Sequence, residues 1–165
     1  PRAAHERVLF EKFMAAIHRH DMRTQGLLTP ETIDLLPSDA QTVREHLAVL
    51  QELGFGISEF GADTFIIDAL PVYVQEGPVE SLLTEVAREL EKAGKKRGAR
   101  ELVQERIAQA ACQTAVRSKD QLSDREIETL VADLAQAEMP YTSPRGRPTL
   151  IYTSFTELDR KFSKT

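Results

Sequence analysis

Two short apolar runs between residues 55 and 70 constrain the fold of this chain most. Phe55–Phe60 and Thr64–Leu70 are separated by Gly61-Ala62-Asp63, which has the composition of a hairpin loop. The segments on either side carry apolar residues at helical spacing instead. A β-hairpin set among helices predicts a mixed α/β fold.

Apolar spacing and helix-start signals predict the helices around this hairpin. In the first, Phe10, Phe13 and Ile17 recur at helical spacing. Three capping boxes, in which a serine and a Glu or Gln three residues later satisfy free backbone amides, mark other helix starts. The predicted helices are Ala3–His20, one from the Ser38 box to Gly54, Val79–Leu90, Ala99–Ser118, one from the Ser123 box and one from the Ser154 box.

Two further strands are predicted outside the hairpin. Gln25–Leu35 is interpreted as an edge strand, because Pro30 removes a backbone donor and the threonines and Ile33 favour extended structure. Thr149–Thr153 is an apolar, β-rich run that follows the proline-rich loop Met139–Pro148.

Composition limits the classes of protein to consider. The single cysteine, Cys112, rules out an internal disulfide framework and fits a reducing cytoplasm. No apolar run approaches the ~20 residues that a membrane helix needs, and the N-terminus lacks a signal-peptide pattern. We therefore expect a soluble, cytoplasmic protein without a membrane partner.

The charge balance bears on nucleic-acid binding. A net charge of −5 argues against a protein that grips DNA through a whole basic face, so any DNA contact is expected to be weak or local. The one basic cluster comprises Lys95, Lys96, Arg97 and Arg100 and lies between two predicted helices. Charge runs of this kind are usually solvated, and we interpret it as a connector.

Local patterns give little support to the common enzyme classes. The chain has no glycine-rich phosphate loop after a strand, no Cys-x2-Cys pair and no Gly-x-Ser-x-Gly elbow. Cys112 lies among alanines, where a small buried thiol is the usual finding. The carboxylates Glu6 and Glu11 belong to the first helix, and the helix dipole accounts for carboxylates near a helix start.

Three segments nevertheless carry motifs in a fixed order: Ala-Ala-His-Glu-Arg-Val-Leu-Phe-Glu at residues 3–11, Ala111–Arg117 and Ser143–Pro148. The first resembles the latter part of the motif Asp-Gln-His-Ala-x2-Glu-x4-Glu in the C-terminal domain of the MutL family of DNA mismatch repair proteins. The second and third resemble its Ala-Cys-x-x-Ala-x-Arg helix and its Cys-Pro-His-Gly-Arg-Pro loop. Leu50–Phe65 resembles the family's middle region, so the resemblance covers nearly the whole chain.

The resemblance implies an α+β fold of two lobes, with a mixed sheet, packed helices and an inserted regulatory lobe. Residues 1–24 and 108–165 would form the dimerisation lobe, and residues 25–107 the regulatory lobe. The implied function is homodimerisation, which brings together the two ATPase arms of a mismatch repair protein so that a ring can close around DNA. The candidate dimer contacts are Leu150, Ile151 and Phe155.

The resemblance also implies a metal site for DNA nicking, but most of its ligands are replaced here. Glu6 and Cys112 remain, whereas Arg2 and Arg145 stand at histidine positions and Ser143 at a cysteine position. Serine is a poor ligand and guanidinium groups do not coordinate metals. We therefore expect no cofactor and little or no nuclease activity; the alternative is a zinc- or manganese-dependent DNA endonuclease.

Two roles are open for the arginines. Arg2 and Arg145 could form ion pairs with Glu6 and Glu11, as a structural replacement for the metal. Alternatively, Arg2, Arg145 and Arg147 could contact DNA phosphate locally.

Gln25-Gly-Leu-Leu-Thr-Pro30 resembles the family's segment that binds the replication sliding clamp, with Gln25, Leu27 and Leu28 as the contacts. An edge strand with both leucines in the core would need no such partner. The implied partners are therefore a second copy of the chain, a MutS-type mismatch recognition protein and the sliding clamp. A monomeric small-ligand binding domain is the remaining alternative.

Overall fold

The computed structural model describes residues 2–74, 78–92, 100–115 and 122–162. Within these ranges the chain forms helices and one small sheet, which confirms the predicted α+β class. The elements are α1 (Arg2–His18), β1 (Thr24–Asp34), α2 (Pro37–Glu45), α3 (Leu47–Glu52), β2 (Gly56–Glu59), β3 (Thr64–Pro71), α4 (Val79–Lys92), α5 (Arg100–Ala115), α6 (Asp124–Ala135) and α7 (Phe155–Lys161).

The three strands form a sheet in the order β1-β3-β2. The predicted hairpin is confirmed as β2 and β3, and β1 is confirmed as an edge strand. Both strand pairs in this sheet are antiparallel, whereas the resemblance implies a mixed sheet. The central strand β3 contributes the fully buried Phe65 and Ile67 to the core.

The edge strand β1 departs from its partner in the middle. Gly26 pairs with Ala69 and Glu31 pairs with Ile67, so the four residues from Leu27 to Pro30 lie opposite a single residue of β3. Proline has no N–H to donate to a sheet, which fits a place outside the ladder. Leu27 packs partly on the core, but Leu28 is fully exposed. The interpretation that both leucines lie in the core is therefore wrong for Leu28.

Two apolar clusters hold the elements together. The larger lies between the sheet and α2–α5 and takes in Phe13 and Ile17 from the second half of α1. The smaller joins the first half of α1 to α6 and consists of Ala4, Val8, Leu130 and Leu134. Helix α1 therefore contributes to both clusters. The lobe boundaries at residues 24/25 and 107/108 stay predictions.

The helix starts follow the sequence signals in two of three cases. The Glu126 carboxylate accepts a hydrogen bond from the Ser123 amide at 2.8 Å, and the Ser154 hydroxyl accepts one from the Glu157 amide at 3.2 Å. The predicted Ser38 cap is wrong, because α2 already begins at Pro37. A proline suits the first turn, since its fixed φ is helical and its missing N–H has no partner there anyway.

The predicted strand Thr149–Thr153 is wrong. Among the described residues, the only pairing in this region is an isolated bridge between Thr142 and Pro148. Ile151 and Tyr152 extend into solvent. A β-rich run becomes a strand only where a neighbouring strand pairs with several of its residues. Among the described residues, the one backbone hydrogen bond from this run to another segment is donated by the Thr149 amide to the Tyr141 carbonyl.

The basic cluster falls largely outside the described residues, which end at Lys92 and resume at Arg100. Arg100 itself begins α5 and pairs with the Glu52 carboxylate. None of the described helices is long and apolar enough to cross a membrane.

Candidate functional site

The three motif segments meet at one place in the fold. Glu6 on α1 is contacted by Arg147, and Gln109 on α5 donates from its side-chain nitrogen to the Pro144 carbonyl at 2.8 Å. Cys112, one turn further along α5, is close enough for the Glu6 charge to act on its thiol. We call residues Ser143–Arg147 the motif loop. The site therefore consists of the motif loop, the start of α1 and the second half of α5.

Glu6 is the centre of the site and is only 2% exposed. Arg2 Nε lies 3.2 Å from Glu6 Oε1, and Arg147 Nη2 donates to both carboxylate oxygens. Charge-assisted hydrogen bonds of this kind are about twice as strong as neutral ones. The predicted Arg2–Glu6 ion pair is therefore present, and Arg147 supplies a second guanidinium.

Cys112 is buried beside this ion pair. Burial raises the pKa of the Cys112 thiol well above its ordinary value, and the negative charge of Glu6 raises it further. Metal binding and nucleophilic attack both need the thiolate. The thiol is therefore a buried packing group, as its alanine neighbours predict.

Ser143 organises the backbone of the motif loop. Its side chain is buried, and its hydroxyl accepts hydrogen bonds from the amides of Arg145 at 3.3 Å and Arg147 at 3.2 Å. Its own amide donates to the Arg147 carbonyl at 2.7 Å. Gly146 has φ +77°, a left-handed conformation that glycine adopts without steric cost. The serine at the cysteine position thus closes a tight turn.

Arg145 extends away from Glu6 towards α4. Its Nη2 lies 2.7 Å from Glu89 Oε1 and 3.2 Å from Glu85 Oε1. The hypothesis that Arg145 pairs with Glu6 or Glu11 is therefore wrong. The turn at Gly146 separates the two arginines of the motif loop, and each one reaches a different helix.

Glu89 is the second buried carboxylate of this region. Lys92 Nζ lies 2.7 Å and Arg106 Nη1 3.7 Å from its oxygens, in addition to Arg145. Burial alone would raise the pKa of Glu89, but hydrogen bonds from Lys92 and Arg145 bring it below its ordinary value. Glu89 is therefore an ionised carboxylate held among three cations.

Glu11 anchors the start of the proline-rich loop. Its carboxylate accepts from the amides of Glu138 at 2.8 Å and Met139 at 3.1 Å, and Arg7 Nη1 lies 3.6 Å away. Arg7 is buried and donates from Nε to the Thr142 carbonyl at 2.6 Å. Glu11 therefore has a structural role here.

Sequence reasoning missed Arg7, Glu85 and Glu89. Arg7 lies inside the first motif, directly after Glu6, which is a signal that could have found it. Glu85 and Glu89 stand four residues apart and so share one face of α4, but nothing local indicates a partner 56 positions later.

The side chains present do not fit a divalent metal ion. In the described part of the chain, no three His, Cys, Asp or Glu side chains come together in a group that could hold a metal. Both oxygens of Glu6 are taken by guanidinium groups, whose positive charge opposes a cation. The Cys112 thiol is buried in the core, and the Ser143 hydroxyl is engaged with backbone amides.

The predicted dimer contacts follow the motif loop in the chain. Leu150, Ile151 and Phe155 are all exposed, and α7 has no buried residue. Tyr152 and Phe162 are exposed in the same stretch. We call residues 150–162 the apolar tail.

Comparisons with known proteins show which family this chain is similar to. The family described as MutL C terminal dimerisation domain matches residues 2–122. The DNA mismatch repair protein MutL of Clostridium acetobutylicum is 35% identical over 98% of this chain and 26% of its own length. Those of Geotalea uraniireducens and Desulforamulus reducens are 36% and 37% identical, again over 98% of this chain, and over 27% and 25% of their own lengths. The chain spans about a quarter of the length of these curated relatives.

Proposed function

Because this chain belongs to the family of MutL C-terminal dimerisation domains, we propose that it joins two copies of a DNA mismatch repair protein into a homodimer. The observation that carries this proposal is the apolar tail. Contiguous exposed apolar surface on a globular protein marks a contact with another molecule. The tail residues Ile151, Tyr152 and Phe155 are among the most exposed large side chains of the described residues.

Helix α7 needs a partner for the same reason. It has only seven residues, and a helix this short is not stable in water by itself. Phe155, Leu158 and Phe162 follow at a spacing that puts them on one face. A two-fold dimer would bury this face twice, once in each subunit.

Sedimentation equilibrium of the chain tests the proposal, with Phe155→Glu as the variant. Phe60→Glu is a matched control, because Phe60 is also exposed but lies in the hairpin loop. We expect a dimer at micromolar concentration, with a dissociation constant at least roughly tenfold higher for Phe155→Glu, since one buried aromatic ring is worth about 1.5–3 kcal/mol. Phe60→Glu should sediment like the parent chain. A one-subunit mass throughout would overturn the proposal and favour a monomeric binding domain.

We further propose that the family's nuclease site is degenerate in this chain and that no zinc or manganese is bound. The pairing of Glu6 with Arg2 and Arg147 supports this, because hydrolysis of a phosphodiester needs several ligands placed around a metal. Purified chain should contain far less than one metal ion per subunit by elemental analysis and should leave supercoiled plasmid intact with added manganese. Nicking that a chelator abolishes would contradict the proposal.

Binding of the sliding clamp is a second candidate function. Leu28 supports it, because this leucine projects fully into solvent from the unpaired part of β1. A Leu28→Ala variant should weaken binding of a bacterial sliding clamp at least roughly tenfold, since an apolar anchor is worth about 1.5–3 kcal/mol. Leu36→Ala is the control, because Leu36 is also exposed but follows the strand. Equal clamp binding by both variants would remove this candidate.

In the whole protein, the dimer would hold two ATPase arms together and meet a MutS-type partner in the cytoplasm. Any DNA contact of this segment is proposed to be weak, because Arg2, Arg145 and Arg147 are already paired with carboxylates. Steeply salt-dependent binding of duplex DNA to the isolated chain would contradict that view.

A further inference from the structure

We propose that the motif loop links α1 to α4 across α5 through two ion pairs. We call this link the bridge. Arg147 forms an ion pair with Glu6 on α1, and Arg145 forms one with Glu89 on α4. Between them, Pro144 accepts a hydrogen bond from Gln109 on α5 at 2.8 Å. The loop of five residues thus contacts three helices.

Breaking either ion pair would be costly, because the carboxylate in each pair is buried. The side chain of Glu6 is 2% exposed and that of Glu89 is 4% exposed. A buried carboxylate that loses its cation is costly, since it has already given up its hydration. The arginines keep 45% and 30% exposure and can be replaced without opening a cavity in the core.

Hydrogen bonds within the motif loop fix the relative positions of its two arginines. Ser143 binds the amides of residues 145 and 147, and the Gly146 amide donates to the Ser143 carbonyl at 2.9 Å. The two arginines therefore project from one closed turn. Helices α1 and α4 each pack against α5, and the bridge joins the first half of α1 to the last turn of α4.

Hydrogen exchange of single amides tests the bridge. The reporters are the amides of Ser143 and Gly146, whose hydrogen bonds involve only backbone atoms. The variants are Arg145→Gln, Arg147→Gln and the pair together. The control is Arg88→Gln, which removes an arginine that also contacts Glu85 but does not touch the motif loop.

We expect each single variant to speed exchange of both reporter amides by roughly tenfold. In the parent chain, the charge-assisted hydrogen bond has to break before the motif loop opens locally and exposes these amides. The pair should speed exchange further, whereas Arg88→Gln and treatment with a chelator should leave it unchanged. Core amides in β3 such as Ile67 should keep their protection in every variant.

Three results would overturn the bridge. The first is reporter exchange that is unchanged in the double variant, and the second is acceleration by the chelator alone. The third is equal acceleration of the reporter amides and the β3 amides, since that indicates global unfolding and not local release. If the double variant does not fold, the single variants and the chelator still decide the question.

Discussion

Arg147 Nη2 donates to both carboxylate oxygens of Glu6, although the two residues lie 141 positions apart in the chain. Arg2 contacts the same carboxylate from one helical turn away. A single buried carboxylate therefore pairs with two guanidinium groups, and it stabilises the contact between the motif loop and α1.

Glu6→Gln should lower the free energy of unfolding by about 2 kcal/mol. Breaking a fully buried ion pair typically costs about 3–5 kcal/mol, and the cost is smaller here because both arginines are partly exposed. Urea unfolding followed by circular dichroism measures the change. Glu45→Gln is the control, since Glu45 is exposed and, among the described residues, accepts only from Gln41; it should cost under about 0.5 kcal/mol. Equal effects of the two variants would contradict the prediction.

Stability should fall in acid partly through Glu89. Its pKa is lower in the folded chain than its ordinary value of 4.5, so its contribution is present above that value and is lost as the pH drops through the folded pKa. Glu89→Gln should be less stable than the parent at pH 7 and should lose less stability between pH 5 and pH 3. Urea midpoints at several pH values measure this. Parallel curves for parent and variant would argue against it.

Cys112 should resist thiol reagents in the folded protein. Burial raises the pKa of its thiol, and the nearby Glu6 charge acts in the same direction, so little thiolate is present at pH 8. Labelling with a disulfide reagent should be complete within seconds in denaturing urea and at least roughly a hundredfold slower without it, because reaction then requires local opening. A chain with Cys112→Ala and Ser38→Cys is the control, since Ser38 is exposed and a thiol there should react quickly. Fast labelling of the native parent would refute the burial of this thiol.

Gly56→Ala should destabilise the sheet. A Cβ at this position would lie 2.0 Å from Asp68 Oδ1 and 2.8 Å from the Ala69 backbone nitrogen, so β2 would have to shift. Strain of this kind costs about 1–3 kcal/mol, measurable by thermal unfolding. Gly26→Ala is the matched control on the other side of β3, where the nearest atom would be 4.0 Å away. A stability loss at residue 26 as large as at residue 56 would be the contrary result.

The types of the elements were largely predictable from local spacing. The hairpin, the edge strand and most helices lie where the sequence predicts them, because the periods of helices and strands are properties of neighbouring residues. The predicted strand Thr149–Thr153 failed because a strand also needs a distant partner, which local composition does not reveal. The Ser38 cap failed for a local reason, since Pro37 offers an earlier helix start.

The sequence by itself determined the family, the order of the motif segments and the replacement of ligands by arginine and serine at their positions. Only the tertiary structure decided which carboxylate each arginine takes: Arg147 reaches Glu6, whereas Arg145 reaches Glu89. These partners lie 141 and 56 positions apart. Ion pairing depends on the distance between side chains in space, and that distance is set by the packing of α1, α4 and the motif loop around α5.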